Sequence, residues 1–244
     1  MYNYMIRVKL LLSALALIVV STDLYAQRRP KAEENEDTYK TFTSAGLTTN
    51  TNSGILGGFV FRQSSALSAK LFGKNQYRYL AVELVNVKHP KEVAVQQQGF
   101  ITGSRFIYGK NNYLFALRPE YGREITLFNR HEEEGISVSA ILAAGPSLGL
   151  EKPYVQQIKN SDGSVENRVI GFFQGFGKTK IIPGAHIKAA VSFELSAFRE
   201  SVTGVEIGFL GEAFTRRPEI MLSAENRSVF TSGYVTLYFG SKKK

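Results

Sequence analysis

Residues 183–213 alternate apolar and polar side chains with a period of two on either side of a polar turn at 197–201. Ile187, Ala189, Val191, Phe193 and Leu195 fall on one face, against His186, Lys188, Ser192 and Glu194. After the turn the scheme repeats, with Val205, Ile207, Phe209 and Ala213 against Glu206, Gly208 and Glu212. Such alternation describes two strands, each with one apolar and one charged face. A soluble sheet turns the apolar face inward. A membrane barrel inverts the relation and lines its interior with the charges. The rest of the chain decides between them.

The first 26 residues have the layout of a secretory signal: Arg7 and Lys9, an apolar run from Leu10 to Val20, then Leu24-Tyr25-Ala26 before cleavage. The run is too short to cross ~30 Å of hydrocarbon as a helix. Gln27 is the expected mature start, followed by a flexible periplasmic leader over 27–38 in which Arg28–Asp37 is polar and of mixed charge. The sequence has no cysteine, which excludes thiolate metal sites, a cysteine nucleophile and a lipid-modified cysteine after the signal. His89, His131 and His186 show no metal-ligand spacing, so neither metal nor cofactor is expected.

The mature chain reads as an all-β fold, an antiparallel up-and-down transmembrane β-barrel over 39–240, with a basic tail at 241–244. Eight strands are expected near 39–49, 55–62, 76–87, 113–123, 135–150, 183–197, 201–213 and 229–239. Ten remain open if 100–108 and 169–176 pair as a further hairpin. Pro119, unable to donate a ladder bond, predicts a bulge or an early end to the fourth strand. With the N-terminus in the periplasm, the long segments 88–112 and 151–182 lie outside and the tight turn at 197–201 inside, the asymmetry of outer-membrane barrels. A third connector, 215–228, is also expected outside. Tyr77, Tyr79, Tyr113, Tyr121, Phe214, Tyr234 and Tyr238 are expected to form interfacial girdles. Arg62, Glu83, Arg118, Glu120, His186, Lys188, Glu194, Glu206 and Glu212 are expected to pair inside, as buried charges must. A soluble β-sandwich with these charges solvated is the competing fold.

Four stretches carry a family resemblance: Lys88-His89-Pro90-Lys91-Glu92, Tyr108-Gly109-Lys110-Asn111-Asn112, the run Gly145-Pro146-Ser147-Leu148-Gly149-Leu150-Glu151-Lys152-Pro153-Tyr154, and Pro183-Gly184-Ala185-His186. Together they resemble a group of outer-membrane β-barrel proteins of Bacteroidota-type bacteria, and the size is similar to the smaller barrels of the outer-membrane protein A and X kind. The resemblance implies the barrel, the outer membrane and the strand order, and no reaction. Lys88, His89, Lys91 and Lys152 are candidate contacts for lipopolysaccharide phosphate, against the plainer reading of solvated charges at strand ends.

The expected function is a non-enzymatic envelope scaffold that docks a partner through 88–112 and 151–182. Loss of Arg7, Lys9 and Asp23 with the signal changes the net charge from +9 to +8, which favours anionic lipid or an acidic partner. A narrow or gated pore is the alternative, although eight strands leave a bore just filled by side chains. A lipid A-modifying enzyme is the second alternative. It needs a nucleophile and a carboxylate near His186, but Ser192 lies six residues along the strand, ~20 Å away. Ser137, Ser139 and Ser147 remain open as cross-strand partners. Nucleic acid is not an expected partner of an exported barrel.

Overall fold

The computed structural model describes residues 39–96, 105–128, 136–159, 165–169, 176–198, 201–222 and 224–243. The expected signal peptide (1–26), the leader up to residue 38, residues 129–135 and Lys244 lie outside them.

In chain order the strands are β1 (Thr41–Asn50), β2 (Gly54–Ala66), β3 (Gln76–Val87), β4 (Ala94–Gln96), β5 (Arg105–Ile107), β6 (Asn112–Phe128), β7 (Ser137–Pro153), β8 (Val155–Lys159), β9 (Val165–Val169), β10 (Lys180–Phe198), β11 (Ser201–Phe214) and β12 (Val229–Lys243). A short 3-10 turn, Phe176–Lys178, precedes β10. Eight of these strands close a barrel in the order β1-β2-β3-β6-β7-β10-β11-β12, with β12 paired back to β1. Every neighbouring pair is antiparallel. The pairs β4–β5 and β8–β9 form separate two-stranded hairpins within the two long connections, so the ten-stranded alternative does not hold.

Following paired residues around the wall from Phe239 returns to β12 at Val229, ten residues further along. That stagger tilts the strands and fixes a narrow bore that side chains can fill. One end carries the start of β1, the end of β12 and the β2–β3 and β10–β11 connections. The opposite end carries the β1–β2 turn, both hairpins and the β11–β12 connection. Among the described residues no helix is long and apolar enough to cross a membrane, which says nothing of crossing by strands.

The alternation decides which side chains fill the bore. On β3, Leu80, Val82 and Leu84 are exposed on the outside, while Tyr79, Ala81, Glu83 and Val85 are buried within. On β11, Ile207 and Phe209 (76% exposed) point out, and Glu206, Leu210 and Glu212 point in. The outer surface is therefore apolar and the interior charged. This is the inverse of a soluble fold, which rarely exposes a continuous apolar belt.

Three differences from the sequence expectation have local causes. Pro119 neither bulges nor ends β6, because its side chain lies on the outer face and its neighbour across β7 is Pro146. Pairing with β7 lapses only at 118–120 and resumes in the same register, and Gly145 approaches so closely that a Cβ there would run into the Pro119 carbonyl oxygen. The bulge instead falls between Thr126 and Phe128. Residues 241–243 are not a tail, since they continue β12 and pair with β1, as in Thr41↔Lys243.

The β2–β3 connection ends in a turn in which Phe72 and Gly73 both have positive φ, 52° and 73°. Phe72 is 91% exposed there. A bulky side chain in the left-handed region is strained, at a cost of about 1–3 kcal/mol. Phe72→Asn is expected to raise the unfolding free energy by about 1 kcal/mol in a urea titration of the detergent-solubilised barrel.

Candidate functional site: the barrel interior and its loop end

Every wall strand contributes a polar side chain to the interior. Arg62 on β2 donates to Ser44 Oγ (2.9 Å) and to Glu206 Oε2 (2.8 Å), and its guanidinium lies 3.9 Å from the centre of the Tyr238 ring. Glu206 also accepts from Tyr234 Oη at 2.6 Å and faces Lys188 Nζ at 3.2 Å. Lys188 reaches across the bore to Glu120 (2.9 Å) and Tyr79 Oη (3.2 Å). Nearer the loop end Arg118 forks onto both oxygens of Glu212, at 2.8 and 2.7 Å, and onto Glu83 at 3.0 Å. Glu194, nearer the terminal end, pairs with Lys242 at 2.6 Å. All nine residues assigned inside from sequence are buried there, and five strands supply them.

Other members were missed. Glu124, buried and bound by Ser64 Oγ at 2.5 Å, lies one residue past the expected end of the fourth strand at 123, whereas β6 runs on to Phe128. Of the expected girdle, Tyr77, Tyr79, Phe214, Tyr234 and Tyr238 are buried inside the barrel, whereas Tyr121 is exposed. Buried tyrosines need partners for their hydroxyls. Glu206, Lys188 and Ser192 serve Tyr234, Tyr79 and Tyr238.

Ser147 Oγ lies 3.0 Å from His186 Nδ1, and Glu120 Oε1 lies 3.8 Å from His186 Nε2. This brings together a hydroxyl, an imidazole and a carboxylate, the residue types of an acyl-transfer site. Ser147 is 0% exposed.

Both ends of the bore are packed with apolar side chains. Tyr39, Phe42, Tyr77, Val202 and Tyr238 cluster at the terminal end, with Tyr39 stacked on Tyr77 at 4.4 Å. At the loop end Val85, Leu114, Ile182 and Phe214 enclose Ile220 and Met221 from the β11–β12 connection. That connection lies at the same end as the two hairpins, and its apolar pair packs down over the mouth of the bore. Glu151 fastens it to the wall, accepting from Arg216 (2.6 Å) and from the Glu219 backbone N–H (2.6 Å). Asn226 holds the turn itself: its Oδ1 accepts from the backbone of Ile220 and Met221, and its Nδ2 donates to the Met221 carbonyl. Asn226→Ala leaves these groups unpaired and is expected to cost about 1–3 kcal/mol. Faster protease cleavage within 215–228 than in the wild type is the readout.

The four candidate phosphate contacts separate. Lys88 and Lys91 are exposed at the loop end. His89 is buried: its Nδ1 accepts from the Lys91 N–H, so its Nε2 donates to the Glu225 carbonyl, 3.2 Å away. Lys152 is buried between the rings of Tyr113 and Phe176, so its ammonium is not presented outward. Lys110, beyond the barrel wall, pairs with Glu92 at 2.5 Å. Burial lowers its pKa and the Glu92 contact opposes that shift. Because the folded value lies below the ordinary lysine value, the charging cost is present at neutral pH. It is relieved as pH rises toward the unfolded pKa.

No protein-family model and no curated protein matches the chain. Among solved structures it is similar to the crystal structure of Neisserial surface protein A, with 11% identity, 83% of this chain and 95% of that one covered, and a TM-score of 0.36. It is also similar to Ail, the attachment invasion locus protein of Yersinia pestis, with 10% identity, 84% and 99% covered, and a TM-score of 0.39.

Proposed function

We propose that this chain is a non-conducting outer-membrane barrel, a rigid envelope scaffold that presents its long outer connections for docking. The observation that carries this reading is the closure of the bore at three levels: the Phe214–Met221 cluster, the Arg118–Lys188–Arg62 charge network and the Tyr39–Phe42 cluster. A pore needs a continuous aqueous path, and eight strands already leave little room for one. The apolar outer belt supports lipid as the surroundings, and strands of 10–19 residues are long enough to cross. In this reading the chain start lies in the periplasm, the signal peptide directs export, and the hairpins β4–β5 and β8–β9 face outward. Affinity with the Bacteroidota-type barrel group belongs to the same reading. The burial of Ser147 and His186 supports a structural role for that pair over lipid A chemistry.

Planar-bilayer recording of the purified protein tests the proposal. The expected result is no steady current across a voltage ramp. A reproducible unitary conductance, lost when the protein is omitted, contradicts it and favours the pore.

A further inference from the structure

Two strand glycines have no packing reason to be glycine. At Gly58, Gly122 and Gly204 a Cβ would collide with a neighbouring strand's backbone or with Tyr238. At Gly211 a Cβ would meet only Ile187 Cγ2, at 3.8 Å, and at Gly233 it would sit in ordinary contact, no closer than the 3.7 Å to the Phe209 ring. Glycine within a strand loses more entropy on folding and packs less than any other residue, so the empty volume calls for an external cause. Register puts the two close together on the outer face: Ile187↔Gly211, Ala189↔Phe209, Phe209↔Gly233 and Leu142↔Ala189. Small residues form the floor of a groove, and exposed Leu142, Ile187 and Phe209 form its walls.

The groove lies near the loop end of β10–β12, and exposed cations stand beyond it. The Thr215 N–H donates to the Pro183 carbonyl and the Phe214 N–H to the Ser228 carbonyl, which ties both ends of the connection carrying Arg217 and Arg227 to the loop end of β10–β12. Both are exposed, as is Lys180 at the top of β10. Across the described residues of 176–183 and 215–228, five basic side chains (Lys178, Lys180, Arg216, Arg217 and Arg227) are exposed against two acidic ones, Glu219 and Glu225. From Gly211 to Arg217 is at most ~20 Å of extended chain, within the ~20 Å between the headgroup level and the bilayer midplane.

We infer that this face seats the lipid A part of lipopolysaccharide, one acyl chain lying over Ala189, Gly211 and Gly233 and a phosphate meeting Arg217 and Arg227. The inference rests on the outer-membrane reading above. An apolar groove alone would suit any hydrocarbon; the cations directly beyond it select an anionic headgroup, and guanidinium forks match phosphate geometry.

The test uses the full mature chain purified in detergent and incubated with bis-phosphorylated lipid A or, in parallel, phosphatidylglycerol. Bound lipid is counted by native mass spectrometry, and folding is scored by the heat-dependent gel shift. Wild type is expected to retain lipid A in preference to phosphatidylglycerol. Gly211→Val, whose side chain fits the empty space, is expected to keep the gel shift and to lower lipid A retention roughly tenfold by filling the groove. Arg217→Gln with Arg227→Gln is expected to lower it by about tenfold or more while leaving the gel shift unchanged. Equal retention of both lipids overturns the assignment to lipid A. Unchanged retention in Gly211→Val overturns the seat, as does a specific disulfide-linked dimer of Gly211→Cys, which would make a second copy the occupant. In these three cases a normal gel shift leaves the barrel reading standing; a wild type without the shift removes both.

Discussion

Arg118→Met is expected to lower the unfolding free energy of the barrel by about 3–5 kcal/mol, the largest single-site effect in the molecule. Arg118 is buried and binds two carboxylates from two other strands, Glu83 on β3 and Glu212 on β11. Methionine keeps much of the volume but leaves both carboxylates with no cation in a closed interior. The loss is therefore that of stranded charge, and much larger than the net worth of the pair itself. The same reasoning specifies a rescue. Replacing Glu83 and Glu212 by leucine in the Arg118→Met background removes the stranded charges and is expected to restore most of the stability. Urea titrations of the three proteins in lipid vesicles, scored by the gel shift, measure both effects. A loss below about 1 kcal/mol in Arg118→Met would mean that water reaches the network.

Ile207→Arg is expected to cost about 2–4 kcal/mol, for the opposite reason. Ile207 is 49% exposed on the outer face and pairs with Val191 and Val235, both in register beside it. On a soluble protein, an arginine at such a site costs almost nothing. At the middle of a bilayer it places a charge in hydrocarbon. Depth supplies the control: Thr203 shares the face but lies near the terminal end of β11, where the same substitution is expected to cost about 0–1 kcal/mol. Equal penalties at both positions would contradict a lipid-facing surface.

The faces of the strands were legible because alternation is a local property. Glu206, Ile207 and Gly208 take opposite sides whatever their partners. The same parity held information that an expectation of aromatic girdles overrode. Tyr77 and Tyr79 share the phase of Ala81 and Glu83, and Tyr234 and Tyr238 that of Thr236, so all four belong inside with the charges. Glu124 was missed because the fourth strand was expected to stop at 123, one residue short, and the continuation of β6 to Phe128 depends on pairing with β3 and β7. What a local pattern does not contain is cross-strand register. The approach of Ser147 to His186 depends on the β7–β10 pairing Ser147↔Gly184, fixed by the whole closed wall. The inward fold of Ile220 and Met221 depends likewise on a cluster assembled from five distant segments.

The inversion of faces is the premise of all these expectations, and the lack of cysteine makes it directly measurable. Single cysteines at Val235, Thr236 and Leu237 on β12 can each carry a spin label in vesicles, where collision with oxygen reports exposure to hydrocarbon. The expected result is high oxygen accessibility at 235 and 237 and low accessibility at 236. High accessibility at 236 alone, or labels at 235 and 237 that collide with a water-soluble relaxant in preference to oxygen, would contradict a barrel that turns its apolar face to lipid.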